Sequence, residues 1–546
     1  MLLLNDFIEE SLSYSNVTDD LDINIDLIND GFSQDENFIF EREGGLIKVF
    51  DRVCDHAGGR LFLKGSKAVC PLHGWQLDIH ANSYIDPRCD KQPLLVINEH
   101  ELDSPLVHQP SINNVLNLLP YTKNESVEVT FINHACMVFN VDDKFSFATD
   151  PWVIGSAFSN GWWLLEKSPA DVFDTLNKCD FIYISHNHPD HLHPLSLSHI
   201  RKDMPILTAD FDSGSTVKLL EKAGFENIIK MQFSTRLSDH ENELSFSVLK
   251  SGDFRDDSGL LVEIGKFKCL LTVDSNFLNF GNLPQNIDLL CSSFAGGASG
   301  FPLCFETYTE EEKKKILSRN VGAIRATNIK NIEMTNAQFF LPYAGFFTEG
   351  AARDRYIKER NIKNSVEDYQ KICDKKSCGL LNVTEFQVYT FKGKKLVSST
   401  AARKANFKEL SVEEYIRQTE QLNQTVTDEL IEKYFINSGF NDDLVLDLLC
   451  TNDDFDQDYN RFIVDFSMAR PKIVTALSVG EHLEAACIDS GKRYLRIRVR
   501  KSEFFDLIRN GRPWEDLSIG FQCRIYRNPN IYNSAFWFHF TNKYVS

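Results

Sequence analysis

The hydrophobic pattern changes along the chain, and these changes divide it into regions. From residue 36 to 110, short apolar runs such as FIF, LIKVF, KAVC and LLVI alternate with Gly and Asp turns. Short apolar runs bounded by turn residues are typical of strands, so we predict a small antiparallel β unit here. The preceding residues, 1–35, are acidic and Asn-rich. We expect them to form a mobile lead-in or a short helical pair, with order beginning near Phe38.

A longer region, 125–375, carries a different pattern. Apolar strands such as VEVTFI, FIYISH, ILTA and LLTVD are interleaved with helical patterns near 170–178, 195–202 and 215–223. Strands that alternate with helices predict an α/β layout.

The last region, 380–546, mixes helical patterns near 411–422 and 426–437 with an aromatic-rich end. At 546 residues the chain is too long for one hydrophobic core. We therefore expect a multidomain protein of the α/β (α+β) class.

Charge and composition exclude several kinds of partner. The chain has 58 basic and 78 acidic residues, a net charge of −20, which leaves no positive field to hold nucleic acid. No apolar run reaches the roughly 18 residues that span a membrane, and the start, MLLLNDFIEESL, is not a signal peptide. Thirteen cysteines without an export signal indicate reduced thiols or metal ligands, so we expect a cytoplasmic protein.

A first metal-binding pattern lies in the β unit. The string CDHAGGRLFLKGSKAVCPLHGW contains Cys54-x-His56 and then Cys70-x-x-His73. One thiolate and one imidazole from each half is the pattern of a Rieske [2Fe–2S] cluster, a one-electron relay. A zinc knuckle is the alternative, but zinc fingers usually place two residues between paired cysteines. Neither loop has the additional cysteine of respiratory Rieske proteins, which favours the oxygenase or ferredoxin type.

A second pattern follows an apolar strand in the α/β region. In FIYISHNHPDHLHPLS the strand ends at His186, and His188, Asp190 and His191 follow it. This HxHxDH arrangement is the metallo-β-lactamase signature and predicts an αββα sandwich. Another strand, LLTVDS, ends at Asp274, the position of the carboxylate that bridges two metals in that superfamily. The alternative is a histidine-rich surface loop.

Weaker signals surround these patterns. His134 follows an apolar strand, where a hydrogen-bonding role is commoner than metal ligation. The FAGGASGFP loop suits either phosphate contact or a tight turn, and Arg353 and Arg355 suit either an anionic substrate or a solvated helix start. The C-terminal aromatic residues suit either base stacking or core packing, and their spacing favours the core: Trp514, Tyr526, Tyr532, Phe536 and Trp537.

The two patterns together favour redox chemistry. A hydrolase needs no electrons, whereas oxidation of a C–H bond with O₂ needs two, and a one-electron cluster can supply them in two steps. We therefore predict an O₂-dependent monooxygenase with Asp190, His191 and Asp274 as catalytic residues. Two alternatives stay open: a zinc hydrolase or lactonase with an accessory Rieske centre, and a non-catalytic electron-transfer protein.

Dispersed strings carry a resemblance to one family. They are CDHAGG, HGWQLD, INHACM, TDPWVIGSAF, YISHNHPDHL, LLTVDS, SSFAGGASGFP, PYAGFF and WEDLSIGFQCRIYRNPNIYN. Through them the chain resembles the CMP-N-acetylneuraminate hydroxylases, which join a Rieske domain to a metallo-β-lactamase-like domain. The resemblance implies oxidation of the N-acetyl methyl of a nucleotide sugar to N-glycolyl. It also implies O₂ and an external donor, either cytochrome b5 or a ferredoxin or flavodoxin with its reductase.

Two positions depart from the family as we align it. Asp253 and Ala351 stand where the family carries histidines. With His186 and His188, Asp253 would form a 2-His-1-carboxylate set, which is typical of non-haem iron oxygenases. Asp190, His191 and Asp274 would hold a second metal with one ligand fewer, unless Glu349 or Asp354 replaces it. We expect one or two non-haem irons, with zinc as the alternative.

Overall fold

The computed structural model describes most of the chain beyond residue 125 and parts of the region before it. The described residues are 8–11, 28–34, 38–52, 61–70, 75–85, 91, 93, 95–98, 126–233, 235–239, 243–252, 255–401, 405–423, 426–468, 470–475 and 482–544. Within these residues no helix is both long and apolar enough to cross a membrane.

The N-terminal region is built from short antiparallel strands. They are β1 (Ile8–Ser11), β2 (Gly31–Gln34), β3 (Phe38–Glu43), β4 (Leu46–Asp51), β5 (Phe62–Lys64), β6 (Lys67–Val69), β7 (Gln76–Asp78), β8 (Ser83–Tyr84) and β9 (Leu95–Asn98). Among the described strands, β2-β3-β4-β9 form one sheet and β5-β6-β7-β8 another. Side chains from both sheets share a core that contains Ile39, Phe50, Cys70 and Trp75. The predicted antiparallel unit is therefore present.

Two described parts of the first 35 residues form strands, where a mobile lead-in or a short helical pair was expected. Strand β2 pairs with β3, and β1 pairs with Thr235–Asp239 of the following region, so ordered pairing begins before Phe38. The acidic composition did not indicate this, because an edge strand needs only backbone hydrogen bonds to join a sheet.

The middle region contains two mixed sheets. Its strands are β10 (Ser126–Asn133), β11 (Cys136–Val141), β12 (Phe145–Thr149), β13 (Ser156–Ala157), β14 (Trp162–Leu164), β15 (Phe181–Ile184), β16 (Ile206–Ala209), β17 (Ile228–Met231), β18 (Thr235–Asp239), β19 (Leu244–Lys250), β20 (Ser258–Ile264), β21 (Phe267–Leu271), β22 (Leu289–Ser293), β23 (Phe339–Tyr343), β24 (Phe347–Thr348), β25 (Gly379–Leu380), β26 (Val388–Lys392) and β27 (Lys395–Thr400). One sheet has the order β17-β16-β15-β12-β11-β10-β26-β27. The other has the order β1-β18-β19-β20-β21-β22-β23-β25.

Helices cover the outer faces of these sheets. They are α1 (Val172–Asn177), α2 (Pro194–Ser198), α3 (Ser215–Lys222), α4 (Glu310–Thr335), α5 (Arg355–Lys358) and α6 (Gln370–Lys376), with 3₁₀ turns at Leu278–Gly281, Ala352–Asp354 and Glu367–Tyr369. Inward side chains of both sheets meet in one core, where the Phe147 and Phe246 rings lie 5.2 Å apart. A second core packs α1, α2 and α3 on the first sheet. The result is the predicted αββα sandwich, with helices at the three predicted positions.

The C-terminal region is a five-stranded sheet with helices, as far as the structure describes it. Its strands are β28 (Leu444–Thr451), β29 (Asp458–Asp465), β30 (Lys472–Thr475), β31 (Arg493–Arg500) and β32 (Cys523–Asn528), in the order β30-β29-β28-β31-β32. Its helices are α7 (Val412–Leu422), α8 (Asp428–Asn437), α9 (Leu483–Asp489), α10 (Lys501–Asn510), α11 (Glu515–Ile519) and α12 (Ser534–Phe538), followed by a π-helical turn, His539–Lys543. Its core continues into Trp152, Phe158 and Phe347 of the sandwich.

Helix α11 sits against the sandwich through backbone contacts that leave no room for side chains. A Cβ atom on Gly520 would lie 1.9 Å from the Phe158 carbonyl oxygen, and one on Gly161 would lie 2.0 Å from the Gly520 oxygen. A Cβ on Gly300 would lie 2.1 Å from the Ser518 oxygen. Trp162 Nε1 also donates to the Ile519 oxygen at 3.0 Å. These contacts fix the position of α11, and with it the residue at its start, Glu515.

We predict that Gly520→Ala lowers the stability of the whole protein. The new methyl group would overlap the Phe158 backbone, and such overpacking costs about 1–3 kcal/mol. Gly322→Ala is the matched control, because Gly322 lies inside helix α4 with open space around it. Alanine there should be neutral or stabilise by about 0.5–1 kcal/mol. Denaturant unfolding of both variants provides the comparison. Equal stabilities would contradict the tight docking of α11.

Candidate metal centre

The predicted metal-binding string lies where two parallel strands end side by side. Strands β12 and β15 are parallel neighbours, and Asp150 follows the first of them as Ser185 follows the second. Both Asp150 carboxylate oxygens accept hydrogen bonds from Ser185, from its backbone N–H and its hydroxyl, each at 2.8 Å. Beyond Ser185 the chain turns, and the backbone N–H groups of His191 and Leu192 donate to the His188 carbonyl oxygen. This turn brings the side chains of the string together.

Five of the predicted ligands converge. His186 Nε2 lies 2.9 Å from His188 Nδ1, and His191 Nε2 lies 3.5 Å from Asp190 Oδ2 and 3.4 Å from Asp274 Oδ2. Ligand atoms in the groups His186/His188/Asp190 and His186/His191/Asp274 all lie within 4.8 Å of one another. The structure therefore brings together all the predicted metal-binding residues of this region except Asp253, which lies outside the described residues.

The donor atoms at this centre fit a cation. Asp190 Oδ1, His191 Nε2 and Asp274 Oδ1 are buried, and the described part of the chain offers them no hydrogen-bond partner. Buried polar atoms left without partners are costly, and a bound ion is one way to satisfy them. Imidazole nitrogens combined with carboxylate oxygens suit both zinc and non-haem iron.

The pKa shifts of His191 and Asp190 also favour a cation at this centre. Burial alone would lower the pKa of His191, but the carboxylates of Asp190, Asp150 and Asp274 outweigh it and raise that pKa well above its usual range. Burial likewise raises the pKa of Asp190, yet His191 and His134 bring it well below its usual range. The carboxylates around His191 therefore favour a positive charge at this position. A divalent cation would supply the same compensating charge more effectively.

Each histidine uses its other ring nitrogen to contact a polar residue outside the centre. His191 Nδ1 lies 2.9 Å from Asp150 Oδ2, and His188 Nε2 lies 3.4 Å from Glu515 Oε2. His186 Nδ1 lies 2.9 Å from Ser185 Oγ. Partners of this kind fix the tautomer and direction of metal-binding histidines. Glu515 was not foreseen, because it lies 327 residues from His188 in the sequence.

His134 makes a hydrogen-bonding contact, as expected, and the contact places it beside the centre. It lies in the turn between β10 and β11 with a positive φ of 45°, which is uncommon for a residue other than glycine. Its Nε2 lies 3.2 Å from Asp190 Oδ2, and His134, Asp190 and His191 form a further group of candidate ligands. The INHACM string placed His134 at a strand end, but only the fold shows that this end faces Asp190.

A carboxylate lies beside His186, four residues after the predicted Asp253. Asp257 Oδ1 is 3.5 Å from His186 Nδ1, and Asp257 is almost fully buried. This contact is on the nitrogen that faces away from His188, so Asp257 orients His186 rather than completing the same ligand group.

The residues proposed to replace the missing histidine have other partners. Ala351 is buried at the start of a 3₁₀ turn. Glu349 accepts hydrogen bonds from Asn361 and Lys363, and Asp354 is paired with buried Arg500. Neither belongs to a candidate ligand group of the described residues.

Arg353 and Arg355, which were considered for contact with an anionic substrate, both form ion pairs within the protein. Arg353 is buried and pairs with Glu503 and Asp453. Arg355 is exposed and pairs with Glu359 one helical turn later. Arg353 therefore joins the 3₁₀ turn to the C-terminal region, whereas Arg355 pairs within its own helical segment.

The FAGGASGFP loop and the C-terminal aromatic residues have structural roles, a tight turn and core packing. The Gly297 carbonyl oxygen accepts a hydrogen bond from Asn361 at 2.9 Å, and Gly300 lies against Ser518, so the FAGGASGFP loop is a tightly packed turn. Three of the C-terminal aromatic residues belong to the hydrophobic core: Trp514, Phe536 and Trp537.

Of the predicted cluster ligands, the structure describes Cys70. Its side chain is fully buried, and its backbone N–H donates to the Trp75 carbonyl oxygen at 2.8 Å. This hydrogen bond joins the two described residues on either side of positions 71–74, which include His73 in the sequence. Cys54, His56 and His73 lie outside the described residues.

We predict that His191→Ala removes metal from the sandwich while the cluster iron stays. His191 Nε2 faces two carboxylates at once, so its loss leaves them uncompensated. His199→Ala is the matched control, because His199 is exposed and stacks on Phe173 away from the centre. Elemental analysis should show a metal loss only in the first variant. Unchanged metal content in His191→Ala would argue against this centre.

One family model matches the N-terminal part of the chain, and several solved structures are weakly similar to the middle of it. Residues 18–99 match the family model of the Rieske [2Fe-2S] domain. Among solved structures, an isothiocyanate hydrolase from Delia radicum gut bacteria has a TM-score of 0.33 and 14% identity, covering 46% of this chain and 95% of its own. A metallo-β-lactamase fold protein from Bacillus subtilis has a TM-score of 0.29 and 15% identity, covering 47% and 95%. The fold assignment rests on the layers of the sandwich rather than on these two similarities.

Relatives match the chain over nearly its whole length. The cytidine monophosphate-N-acetylneuraminic acid hydroxylase of Mus musculus is 32% identical over 551 residues, covering 93% of this chain and 91% of the relative. The protein of the same name from Xenopus laevis is 31% identical over 555 residues, covering 93% and 89%. The resemblance drawn from the dispersed strings is thereby confirmed. With a Rieske domain in front of a histidine and carboxylate centre, the chain belongs to the cytidine monophosphate-N-acetylneuraminic acid hydroxylase family.

Proposed function

We propose that the protein is an O₂-dependent monooxygenase that oxidises the N-acetyl group of a CMP-activated sialic acid, or a close relative of it, to N-glycolyl. The observation that carries this proposal is the pairing of a Rieske domain with a buried histidine and carboxylate centre in one chain of this family. A hydrolase of the same fold would need no electrons and therefore no cluster.

The reaction balances with two electrons from outside. The methyl group, O₂, two electrons and two protons give the hydroxymethyl group and water. The cluster carries one electron at a time, so an external donor must reduce it twice for each turnover. When bound, a non-haem iron in the sandwich supplies the O₂ chemistry.

Residues of the sandwich would hold that iron. We assign this role to the five converging residues His186, His188, Asp190, His191 and Asp274. We add His134 as a further ligand, and Asp253 stays a ligand predicted from the sequence. The predicted catalytic residues Asp190, His191 and Asp274 lie at its middle, where Asp150 holds the His191 ring in place. Burial of His186, Asp190 and His191 keeps water away from one side of the centre.

We assign the approach of the substrate to the opposite side of the centre, which is less buried. Side chains of Asp274, Glu515 and His188 are 25%, 20% and 12% exposed, whereas those of His186 and Asp190 are 2% exposed. Arg255 lies on this side, with a side chain 28% exposed; it donates to the Asp274 carbonyl oxygen at 3.1 Å and lies 4.0 Å from Asp257 Oδ2. We assign Arg255 to the anionic substrate, because the net charge of −20 would otherwise repel a nucleotide sugar.

The partners follow from this chemistry. The protein needs a small-molecule substrate and an external electron donor. Cytochrome b5, a ferredoxin or a flavodoxin with its reductase could each serve. A cytoplasmic setting fits the cysteines beyond residue 125, which form no disulfide among the described residues.

We predict that Cys70→Ser abolishes repeated turnover. Loss of this predicted cluster ligand removes the route by which electrons enter, whereas any hydrolysis at the second centre would continue. Cys487→Ser is the matched control, since Cys487 is a free, buried cysteine in α9 of the C-terminal region. The assay supplies CMP-N-acetylneuraminate, a reductase system and ¹⁸O₂, and mass spectrometry detects label in the product.

Two results would contradict the proposed function. One is zinc in the sandwich with no reductant-dependent consumption of O₂, which would favour a hydrolase. The other is unchanged oxidation in Cys70→Ser, which would show that the cluster does not supply the electrons.

A further inference from the structure

Tyr532 connects the N-terminal and C-terminal regions. Its ring packs against the core of the Rieske region and also against the core of the C-terminal region. In the Rieske region it stacks on Trp75, with ring centroids 6.2 Å apart and planes 24° from parallel. Trp75 is almost fully buried and stands two residues after the predicted cluster ligand His73.

The other end of Tyr532 points towards the metal centre. Its hydroxyl donates to Glu515 Oε1 at 3.5 Å, and the second oxygen of the same carboxylate lies 3.4 Å from His188 Nε2. His188 turns its Nδ1 towards His186 inside the centre. A chain of contacts therefore runs from Cys70 through Trp75, Tyr532 and Glu515 to His188.

We propose that Trp75, Tyr532 and Glu515 form the intrachain electron route from the Rieske cluster to the second metal centre. This proposal rests on the proposed function and adds the path that the electrons take between the two metal centres. In each step one electron leaves the reduced cluster and one electron arrives at the metal, which is thereby reduced from the ferric to the ferrous state. Tyr532 and Glu515 gain and lose no atoms, so they are positioning residues and not catalytic ones.

The fold holds this route in place before any substrate binds. Glu515 begins helix α11, whose other end is fixed by the close backbone contacts of Gly520 and Gly161. Each oxygen of the Glu515 carboxylate faces a different partner, so one side chain spans the gap between Tyr532 and His188. Burial, followed by the nearby Glu515 carboxylate, raises the pKa of Tyr532 well above its usual range. Tyr532 therefore stays a neutral hydrogen-bond donor at physiological pH.

The variants for the test separate the hydroxyl from the ring. Tyr532→Phe keeps the ring on Trp75 and removes only the bond to Glu515. Glu515→Ala removes the carboxylate, and Glu515→Gln restores a side chain of the same shape. Tyr544→Phe is the matched control, because Tyr544 donates to the Tyr434 carbonyl oxygen in the same region but off the route.

The experiment follows the cluster itself. The whole protein, loaded with both centres and reduced without O₂, is mixed with O₂ and CMP-N-acetylneuraminate, and the absorbance and EPR signal of the cluster report its reoxidation. We expect Tyr532→Phe and Glu515→Ala to slow reoxidation by about tenfold, the factor that about 1.4 kcal/mol of activation free energy represents. Glu515→Gln should recover part of the rate, and Tyr544→Phe should match the natural protein.

Two further readouts exclude a merely structural effect. The midpoint potential and EPR spectrum of the cluster should be unchanged in Tyr532→Phe, because its ring still covers Trp75. With Co²⁺ in the sandwich, the visible spectrum should shift in Glu515→Ala and not in Tyr532→Phe, because only the first changes the partner of His188.

The outcomes distinguish the route from the function. If the natural protein reoxidises its cluster through the second metal and both variants keep the full rate, the route is wrong and the proposed function stands. If the natural protein never reoxidises its cluster in a way that depends on the second metal, the proposed function fails and the route fails with it. A slowed rate together with an altered cluster potential in Tyr532→Phe would also overturn the route, since the cluster itself would then have changed.

Discussion

The attraction between a buried imidazole and two carboxylates is the interaction on which this molecule depends. The fully buried His191 turns its Nε2 towards Asp190 and Asp274, and Asp150 contacts Nδ1 on the other side of the ring. Carboxylates buried this closely together are unfavourable without a positive charge among them. A bound cation would supply that positive charge, which supports the proposed metal site. The rest of the sandwich can be understood as the frame that keeps these side chains together.

The frame extends beyond the sandwich. Glu515 belongs to the C-terminal region yet orients His188, and Tyr532 of the same region covers Trp75 of the Rieske region. Gly161, Gly300 and Gly520 let the backbone around helix α11 contact the backbone of the sandwich directly. The position of Glu515 therefore does not depend on flexible side chains. The C-terminal region consequently links the two metal-binding regions, which gives a physical reason for its presence in a redox protein.

Site residues within one motif or at strand ends could be predicted from the sequence, whereas contacts between residues far apart in the chain could not. The string around His186 and the carboxylate Asp274 could be predicted to meet because both follow buried strands, and residues at strand ends share an edge. Nothing local marks Glu515 as a partner of His188, because it lies in a separate region of the chain. His134 gave a weak signal, since its role depends on a turn with positive φ that directs it at Asp190.

The helices and strands also divide into those that the sequence pattern predicts and those that it does not. Helices α1, α2 and α3 follow the apolar periodicity, whereas α4, the longest described helix, is mostly polar and its pattern does not predict it. Its start is marked instead by a capping box between Thr309 and Glu312. Strand β1 could not be predicted either, because its pairing partner lies in the sandwich.

The central claim is that the buried centre is a redox-active iron supplied with electrons by the cluster of the same chain. Mössbauer spectroscopy of the ⁵⁷Fe-loaded protein tests it most directly, because it resolves cluster iron from any other iron in one sample. The account predicts a non-haem iron in addition to the cluster, and both should become oxidised together when the reduced protein meets O₂ and CMP-N-acetylneuraminate. Iron confined to the cluster, with zinc in the sandwich, would contradict the account.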